Sequence, residues 1–589
     1  MNQAENFNQD IHVVDYRSSY EQKRVKADQL VSIEGRSLES LNGKFHFTPD
    51  PYESCLRARW FEEKTESEKG LPLPLDADFD VWPLMNVPGC WNTERNDLYY
   101  YENMGLYYKG FTYKSEQEGE RVFLHFEGSA YRTYVFLNGK QVGMHDGAST
   151  PFSMEVTSYL QKQNRLIIAV DASRSKDRVP MDNTDWFNYG GIYRDVMLIR
   201  TPKTYIRNFY TQLKPKTTNM IFASVTLDTP LDTTVIYRIA ELDIEKEIPI
   251  KAGTGSLEFE ADVTLWSLEN PQLYEVEILY GDDRVCDRIG FRDIQVQGTD
   301  ILLNGKSLFL KGISVHEDHI DLGKTTNEAI IRATIADLKE MGGNFLRLAH
   351  YPHTRRFAQI ADELGVLLWE EIPVYWAINF TNEETYQDAE NQLSELVLRD
   401  RNRASVIIWS VGNENPDTDS RLRFMSSLAK QARSLDSTRL ISAACLVNTA
   451  KLKLEDRLME YLDVIGNNEY YGWYEPNFED LLTILNNTEL TKPVIITEFG
   501  GGARAGNHGT KNTMWTEEYQ EALYKKQFAT LDKAHYVRGL TPWIFYDFRA
   551  VRRLNRYQEG FNRKGLIDAD RKTRKLAFYV TQNYYKTKD

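Results

Sequence analysis

The sequence is poor in cysteine. Four occur in 589 residues, Cys55, Cys90, Cys286 and Cys445, widely spaced, with no CxxC and no Cys/His cluster. That argues against a disulfide scaffold and against a zinc site. No run approaches the roughly 18 apolar residues that a membrane span needs. The opening stretch, Met1 to Tyr20, has no apolar core of the secretory type. No signal peptide is therefore expected in the chain as written, and the expected compartment is cytoplasmic, or periplasmic if a leader was removed. Basic residues are outnumbered, 71 Lys and Arg against 86 Asp and Glu, giving a net charge of −15. Nucleic acid and membrane surfaces are thus not expected partners, whereas a small anionic substrate is compatible, because a local site can oppose the global sign. Internal repeats and low-complexity segments are also lacking.

What is present is ordinary globular material, 41% hydrophobic and 27% charged, enough at about 150 residues per domain for three or four domains. Aromatics reach 12%, with 34 Tyr and 11 Trp. Rings suit stacking on sugars and equally the cores of large β-sandwiches. Up to about residue 297 the chain shows short alternating runs between turn signals, such as RVFLHFEG (121–128), TYVFLNGKQVG (133–143) and RLIIAVDAS (165–173). Asn138-Gly139 between two apolar runs is a hairpin signal. A boundary is expected near Thr201-Pro202, followed by a second set of strands (FASVTLDT, TVIYRIAEL, SLEFEADV, YEVEILYG) of immunoglobulin-like size. From Asp300 apolar runs alternate with helical patterns, as in NEAIIRATIADLKEM, where Asn327 is the expected N-cap. Eight such runs predict a (β/α)8 barrel: 307–316, 344–350, 365–372, 405–414, 440–446, 463–470, 493–500 and 538–548. The expected organisation is multidomain β plus α/β: a jelly-roll-like sandwich over 1–202, an immunoglobulin-like sandwich over 203–297 and the barrel over 298–589.

Barrels carry their chemistry at the C-terminal ends of their strands. The fourth run, VIIWSVGNENP, places Asn413 and Glu414 there, and the seventh, VIITEFGG, places Glu498 there. For one such Glu alone, a solvent-facing loop residue or the partner of an arginine is the commoner case. Two, each just past an apolar strand, meet the requirement of glycoside cleavage: one carboxyl to protonate the leaving oxygen, one to attack or to activate water.

At these residues the sequence resembles a known family. WSVGNENP and ITEFGG look like the acid/base and nucleophile signatures of glycoside hydrolase family 2, and GFRDIQVQGTDILLNGKSLFLKGISVHEDH (290–319) looks like the family's entry into its barrel. The resemblance covers nearly the whole chain and implies a jelly-roll-like sugar-binding domain, an immunoglobulin-like domain and a barrel. It implies a retaining enzyme with no metal or organic cofactor, Glu414 as general acid/base and Glu498 as nucleophile, with carboxyls about 5–5.5 Å apart. Glu414 should rest protonated and Glu498 ionised.

The same resemblance bears on the sugar. GFNRKGLI, with Asn562 and Lys564, resembles the Asn-x-Lys motif of the family's β-glucuronidases, in which an amide and an ammonium bind the sugar carboxylate. A uronate carries a fixed charge that such donors match, whereas a neutral hexose leaves the ammonium unpaired. By resemblance Asp185, in NTDWFNYGGIYRDV, contacts sugar hydroxyls; His316 hydrogen-bonds the sugar; and Asn413 holds the 2-hydroxyl. Tyr470 bonds the nucleophile, Tyr474 lies near the carboxylate end, and Trp543 is the stacking floor. There are departures. Gln558 stands where well-known β-glucuronidases carry an Arg. Arg549, Arg552 and Arg553 are the nearby substitutes, and Arg549 is counted among the substrate-binding residues. The connection EIPVYWAINFTNEETYQ (371–387) is short, which predicts an open mouth. The expected activity is release of terminal β-D-glucuronic acid from glucuronide small molecules or glucuronate-ended oligosaccharides; a homo-oligomer is compatible. The alternatives are a β-galacturonidase or dual uronidase, then a family 2 β-galactosidase. A non-catalytic carbohydrate-binding scaffold is the reading from another class, and the presence of both glutamates argues against it.

Overall fold

A computed structural model describes residues 16–67 and 69–588. Most of the stretch read for a leader, residues 1–15, lies outside the described residues. Among the described residues no helix is long and apolar enough to cross a membrane, and none of the four cysteines is in a disulfide.

Two antiparallel sheets form the first sandwich. One has six strands, in the order Leu84–Val87, Gly43–Pro49, Met104–Thr112, Gln163–Asp171, Arg132–Leu137, Lys140–Asp146. The other has four, in the order Leu38–Ser40, Val196–Thr201, Arg121–Phe126, Phe152–Glu155. Their inner faces enclose Phe45, Phe47, Tyr107, Leu124, Val135, Ile168 and Leu198. The Asn138-Gly139 turn joins Leu137 to Lys140, and both turn residues have positive φ (51° and 80°), the left-handed pair that matches the twist of a tight hairpin. The second sandwich packs the three strands Ile206–Leu213, Met220–Leu227 and Thr254–Glu260 against four others, Ile244–Ile250, Thr233–Ile239, Tyr274–Tyr280 and Asp283–Ile289. Every second residue of Met220–Leu227 points into that core, the alternation of a half-buried strand.

Eight parallel strands then close a barrel: Leu310–Val315, Phe345–Leu348, Leu367–Glu371, Val406–Asn413, Leu440–Leu446, Ile465–Asn468, Val494–Glu498 and Val537–Leu540. Closure pairs Leu310 with Gly539. The first outer helix, Glu328–Glu340, starts where expected, with the Asn327 side chain accepting from the Ile330 amide. After the fifth strand only a short 3-10 turn, Arg457–Tyr461, replaces a helix. A small sheet (Ile294–Gln297, Asp300–Leu303, Lys306–Leu308) packs Ile294, Ile301 and Leu303 onto Leu310, Phe345, Leu367 and Ile407. That closes the N-terminal end of the barrel and leaves the C-terminal end for a site.

The eighth strand is shorter than the sequence predicts. Regular pairing stops at Leu540, and Trp543 to Phe548 run on irregularly before Phe548-Arg549 pairs with Phe561-Asn562. This long excursion is fastened from beneath. The Lys575 ammonium is fully buried and donates to both Asp547 carboxylate oxygens (2.8 and 2.9 Å), to the Ala503 carbonyl (2.7 Å) and to the Arg563 carbonyl (3.2 Å). Breaking a buried ion pair from one side costs about 3–5 kcal/mol. Lys575→Met is therefore expected to lower the unfolding midpoint markedly in a thermal or urea titration; a midpoint within error of wild type would show the pair to be dispensable.

Candidate active site

The two glutamates come from the ends of the fourth and seventh strands and face the same space at the C-terminal end of the barrel, close enough for the Glu498 charge to bear on Glu414. Glu498 is the last residue of the seventh strand and is buried. Its Oε1 accepts from Arg347 Nη1 and its Oε2 from the Tyr470 hydroxyl, both at 2.8 Å. Arg347, in the second strand, is completely buried. Its guanidinium also donates from Nη2 to Asn413 Oδ1 (2.7 Å) and to Glu371 Oε1 (3.0 Å). Glu371 is fixed in turn by Trp369 Nε1 (2.8 Å) and His350 Nδ1 (2.9 Å). Burial works to raise the Glu371 carboxyl, but Arg347 and His350 hold it down, to about 2. One rigid cation thus orients the Glu498 carboxylate and ties it to Asn413.

Glu414 sits one residue past the fourth strand. The pairing of that strand with the fifth shifts register between Ser410 and Asn413, and Glu414 itself adopts a left-handed backbone (φ 52°). Such backbone strain at a non-glycine residue concentrates at functional sites. Its Oε1 accepts from Asn468 Nδ2 (2.9 Å) and its Oε2 from Trp376 Nε1 (2.7 Å). Burial and the neighbouring Glu498 charge push the Glu414 carboxyl upward, against the pull of the Asn468 and Trp376 hydrogen bonds. A carboxyl so placed keeps its proton longer than an ordinary glutamate, as a general acid must.

Two polar atoms of this cluster are left unfilled. Asn413 Nδ2 and His316 Nε2 are buried without a hydrogen-bond partner. His316, just past the first strand, is held through Nδ1 by the Tyr351 hydroxyl (3.1 Å). Burial, together with His350 and His353 nearby, pushes its imidazole well below the usual range, so it is neutral at physiological pH. Buried polar groups are normally satisfied, and two unsatisfied ones facing one space mark a place for ligand hydroxyls. Trp543 lies beyond the eighth strand, tied by its amide to the Phe499 carbonyl (2.9 Å). Its indole stacks on His350 at 4.8 Å and stands edge-on to His316 at 5.3 Å. Trp186, Tyr351, Tyr375 and Phe548 complete an aromatic floor.

A cationic corner closes one side. Lys564 is 3% exposed, and its ammonium donates to the Tyr474 hydroxyl (2.8 Å). Among the described residues it has no carboxylate partner. The Tyr474 oxygen also accepts from Arg553 Nη1 (2.9 Å). Burial opposes it, but Lys564 and Arg553 hold the Tyr474 phenol below its ordinary value. Arg553 clamps Asp185 through Nε (2.9 Å) and Nη2, and Asn562 Nδ2 joins the same carboxylate at 3.1 Å. The first sandwich supplies Asp185 from the loop between Gln163–Asp171 and Val196–Thr201. That loop is docked by Phe187 N on the Arg549 carbonyl (3.0 Å) and by Arg194 on Glu317 (2.8 Å).

Ten of the eleven residues named from the sequence meet around this cavity: Asp185, His316, Asn413, Glu414, Tyr470, Tyr474, Glu498, Trp543, Asn562 and Lys564. Arg549 does not. Its guanidinium turns away to the Tyr189 hydroxyl and to the His319 and Ile320 carbonyls, with Asp318 at 3.7 Å. Arg553 occupies the corner instead, because its position on the loop faces Asp185. Gln558 is engaged within its own loop, accepting from Asn555 at 3.0 Å. Sequence reading missed Arg347, His350, Glu371, Trp376 and Asn468. Glu371 and Asn468 end their strands and His350 lies two residues past one, the same signal that found Glu414; Arg347 lies within the second strand and Trp376 in the loop after the third, where that signal does not reach.

Comparison with known proteins agrees with this geometry. Residues 294–588 match the model of the glycosyl hydrolases family 2 TIM barrel domain, and residues 38–202 match that of the family 2 sugar binding domain. A β-glucuronidase of Paenibacillus borealis is 28% identical over 595 residues, covering 92% of this chain and 96% of its own. A solved β-glucuronidase from Ruminococcus gnavus, in complex with C6-substituted uronic isofagomine, superposes with a TM-score of 0.83 at 26% identity, over 95% of this chain and 100% of that one. A family 2 β-galacturonidase from Eisenbergiella tayi, bound to galacturonate, superposes with a TM-score of 0.80 at 27% identity, over 95% of this chain and 98% of that one. With both its sugar-binding sandwich and its barrel matched, the chain belongs to glycoside hydrolase family 2.

Proposed function

We propose that this enzyme is a retaining exo-β-glucuronidase. The observation that carries the reading is the buried Lys564 ammonium, which no carboxylate of the described protein neutralises. A buried cation without a countercharge is costly, and a uronate carboxylate supplies one. Arg553 and the Tyr474 hydroxyl, whose own proton stays free to donate, add charge-assisted hydrogen bonds to the same group. With the carboxylate anchored there, Trp543 lies under the ring, His316 Nε2 and Asp185 take hydroxyls, and Asn413 Nδ2 takes the 2-hydroxyl. Glu498, held ionised by Arg347, attacks the anomeric carbon while Glu414 protonates the departing oxygen. Glu414 then activates the water that releases the sugar with its configuration retained.

Four p-nitrophenyl β-glycosides test this directly. The glucuronide should be hydrolysed far faster than the galactoside and the glucoside; the reverse order would place the enzyme among neutral hexosidases. The galacturonide is the informative fourth. Arg553, next to Asp185, is the group that favours a second reading as a galacturonidase, and a galacturonide rate above the glucuronide rate would establish it.

Two further results follow from the loop after the third strand. Residues 372–382 run directly into the helix Glu383–Asp400 and bring Trp376 to Glu414. The Trp376 hydrogen bond favours the ionised acid, so Trp376→Phe should raise the Glu414 pKa. The basic limb of the kcat/KM profile, which reports that group in the free enzyme, should move to higher pH; a shift to lower pH would contradict the contact. The shortness of this loop also predicts that bulky glucuronides and glucuronate-ended oligosaccharides are cleaved with kcat/KM close to that of small aryl glucuronides. A strong preference for the small substrates would count against an open mouth.

A further inference from the structure

We propose that Arg552, lying across Trp376, forms a leaving-group subsite for an anionic sugar, one that carries a sulfate ester or a carboxylate beside the scissile bond. The inference rests on the glycosidic mechanism above and deepens it by naming the leaving group. Glu414 protonates the departing oxygen, so whatever departs passes the residues that surround Glu414 on its outward side. Trp376 is the first of these, with its indole N–H on Glu414 Oε2 at 2.7 Å and its ring half-buried. The Arg552 guanidinium lies 5.0 Å from the centre of that ring. It is exposed, and Nη1 donates to the Asn183 side-chain oxygen at 3.3 Å. The cation is thus steered from two sides, by the sandwich and by the barrel.

Its pairing sets Arg552 apart from most of its neighbours. Five arginines lie in 549–563. Arg549 is paired with Asp318, Arg553 with Asp185, and Arg563 with Asp547 and Asp568. Arg552 has only a neutral amide and an indole, and among the described residues no carboxylate pairs with it. Arg556 also lacks a carboxylate partner, but it lies against Tyr557 and not against a residue that touches Glu414. In a chain of net charge −15, an unpaired guanidinium at the mouth of a cleft is a local attractor for anions. A planar guanidinium fork matches the oxygens of a carboxylate or of a tetrahedral oxyanion, and an indole beside it suits the apolar face of a pyranose.

The experiment uses the full-length enzyme and three β-glucuronyl disaccharides that differ only in the leaving sugar: neutral, sulfated and uronic. The wild type should favour at least one anionic disaccharide over the neutral one by about two- to fivefold in kcat/KM, the scale of an ion pair at an exposed site. Arg552→Gln should bring that ratio close to one, and Arg552→Lys should keep part of it. The preference should shrink as salt rises toward roughly 0.5 M, where exposed charges are screened. Preference for either anion supports the subsite, and their order names the group. A wild-type ratio at or below one, or a ratio that Arg552→Gln leaves unmoved, overturns it. Failure of the underlying mechanism shows separately, as absence of hydrolysis of p-nitrophenyl β-glucuronide by the wild type.

Discussion

Glu498→Ala is expected to lower the turnover of every substrate by at least roughly four orders of magnitude, the scale seen when a member of a covalent catalytic unit is removed. No neighbour can replace it. Arg347 is a cation, Glu371 is locked by three donors, and Tyr470 donates to the carboxylate that would be lost. Glu414→Ala should behave differently. Activated phenols leave with little proton assistance, so p-nitrophenyl glucuronide should lose much less than a disaccharide does, within the roughly 10²- to 10⁴-fold range of general acid catalysis. Azide should partly restore Glu414→Ala and give a β-glycosyl azide, because the small anion enters the space of the missing carboxylate. Proton NMR of the first-formed product settles the stereochemistry, and an inverted anomer from the intact enzyme would undo both role assignments.

The second large effect concerns Lys564. Removing a hydrogen bond to a charged group costs roughly 1.5–3 kcal/mol, about 10- to 200-fold, and more when a carboxylate is left buried without its countercharge. Lys564→Ala should therefore sharply lower kcat/KM on the glucuronide. It should do far less to residual activity on the matching glucoside, which has no carboxylate to strand. The diagnostic quantity is the ratio of the two efficiencies. An unchanged ratio would reduce Asn562 and Lys564 to an ordinary loop and move the neutral-hexosidase reading ahead. Arg553→Ala should move the ratio in the same direction, since Arg553 shares the Tyr474 oxygen with Lys564.

What could be read in advance divides along physical lines. The barrel strands were legible because each is a short apolar run bounded by helical periodicity, and the strand-end rule then singled out Asn413, Glu414 and Glu498. The eighth strand was overextended because WIFYDF stays apolar after pairing has ended; composition reports burial, not hydrogen-bond register. The arginine beside the uronate corner could not be chosen from DFRAVRRLN, because a loop has no period to tell which side chain faces inward. Arg347 escaped notice because a lone cation within an apolar strand reads as a partner of some distant carboxylate. Here that carboxylate is the proposed nucleophile itself, a relation between strands two and seven that no local pattern encodes.

The contact between Asp185 and Arg553 joins residues 368 positions apart. On a ribosome, that distance is time. Domains fold in the order they emerge, so the sandwich is in place long before the barrel can close on it. Both glutamates have been made well before Arg553, Lys564 and the Lys575 anchor leave the tunnel. On the proposed roles, a nascent chain carries Glu414 and Glu498 before it carries Arg553 and Lys564, so the cationic corner is completed after both glutamates are in place. A pulse-chase of stalled, C-terminally truncated chains would follow this as activity that appears abruptly, only once the final helix, Leu576–Tyr585, is free to dock.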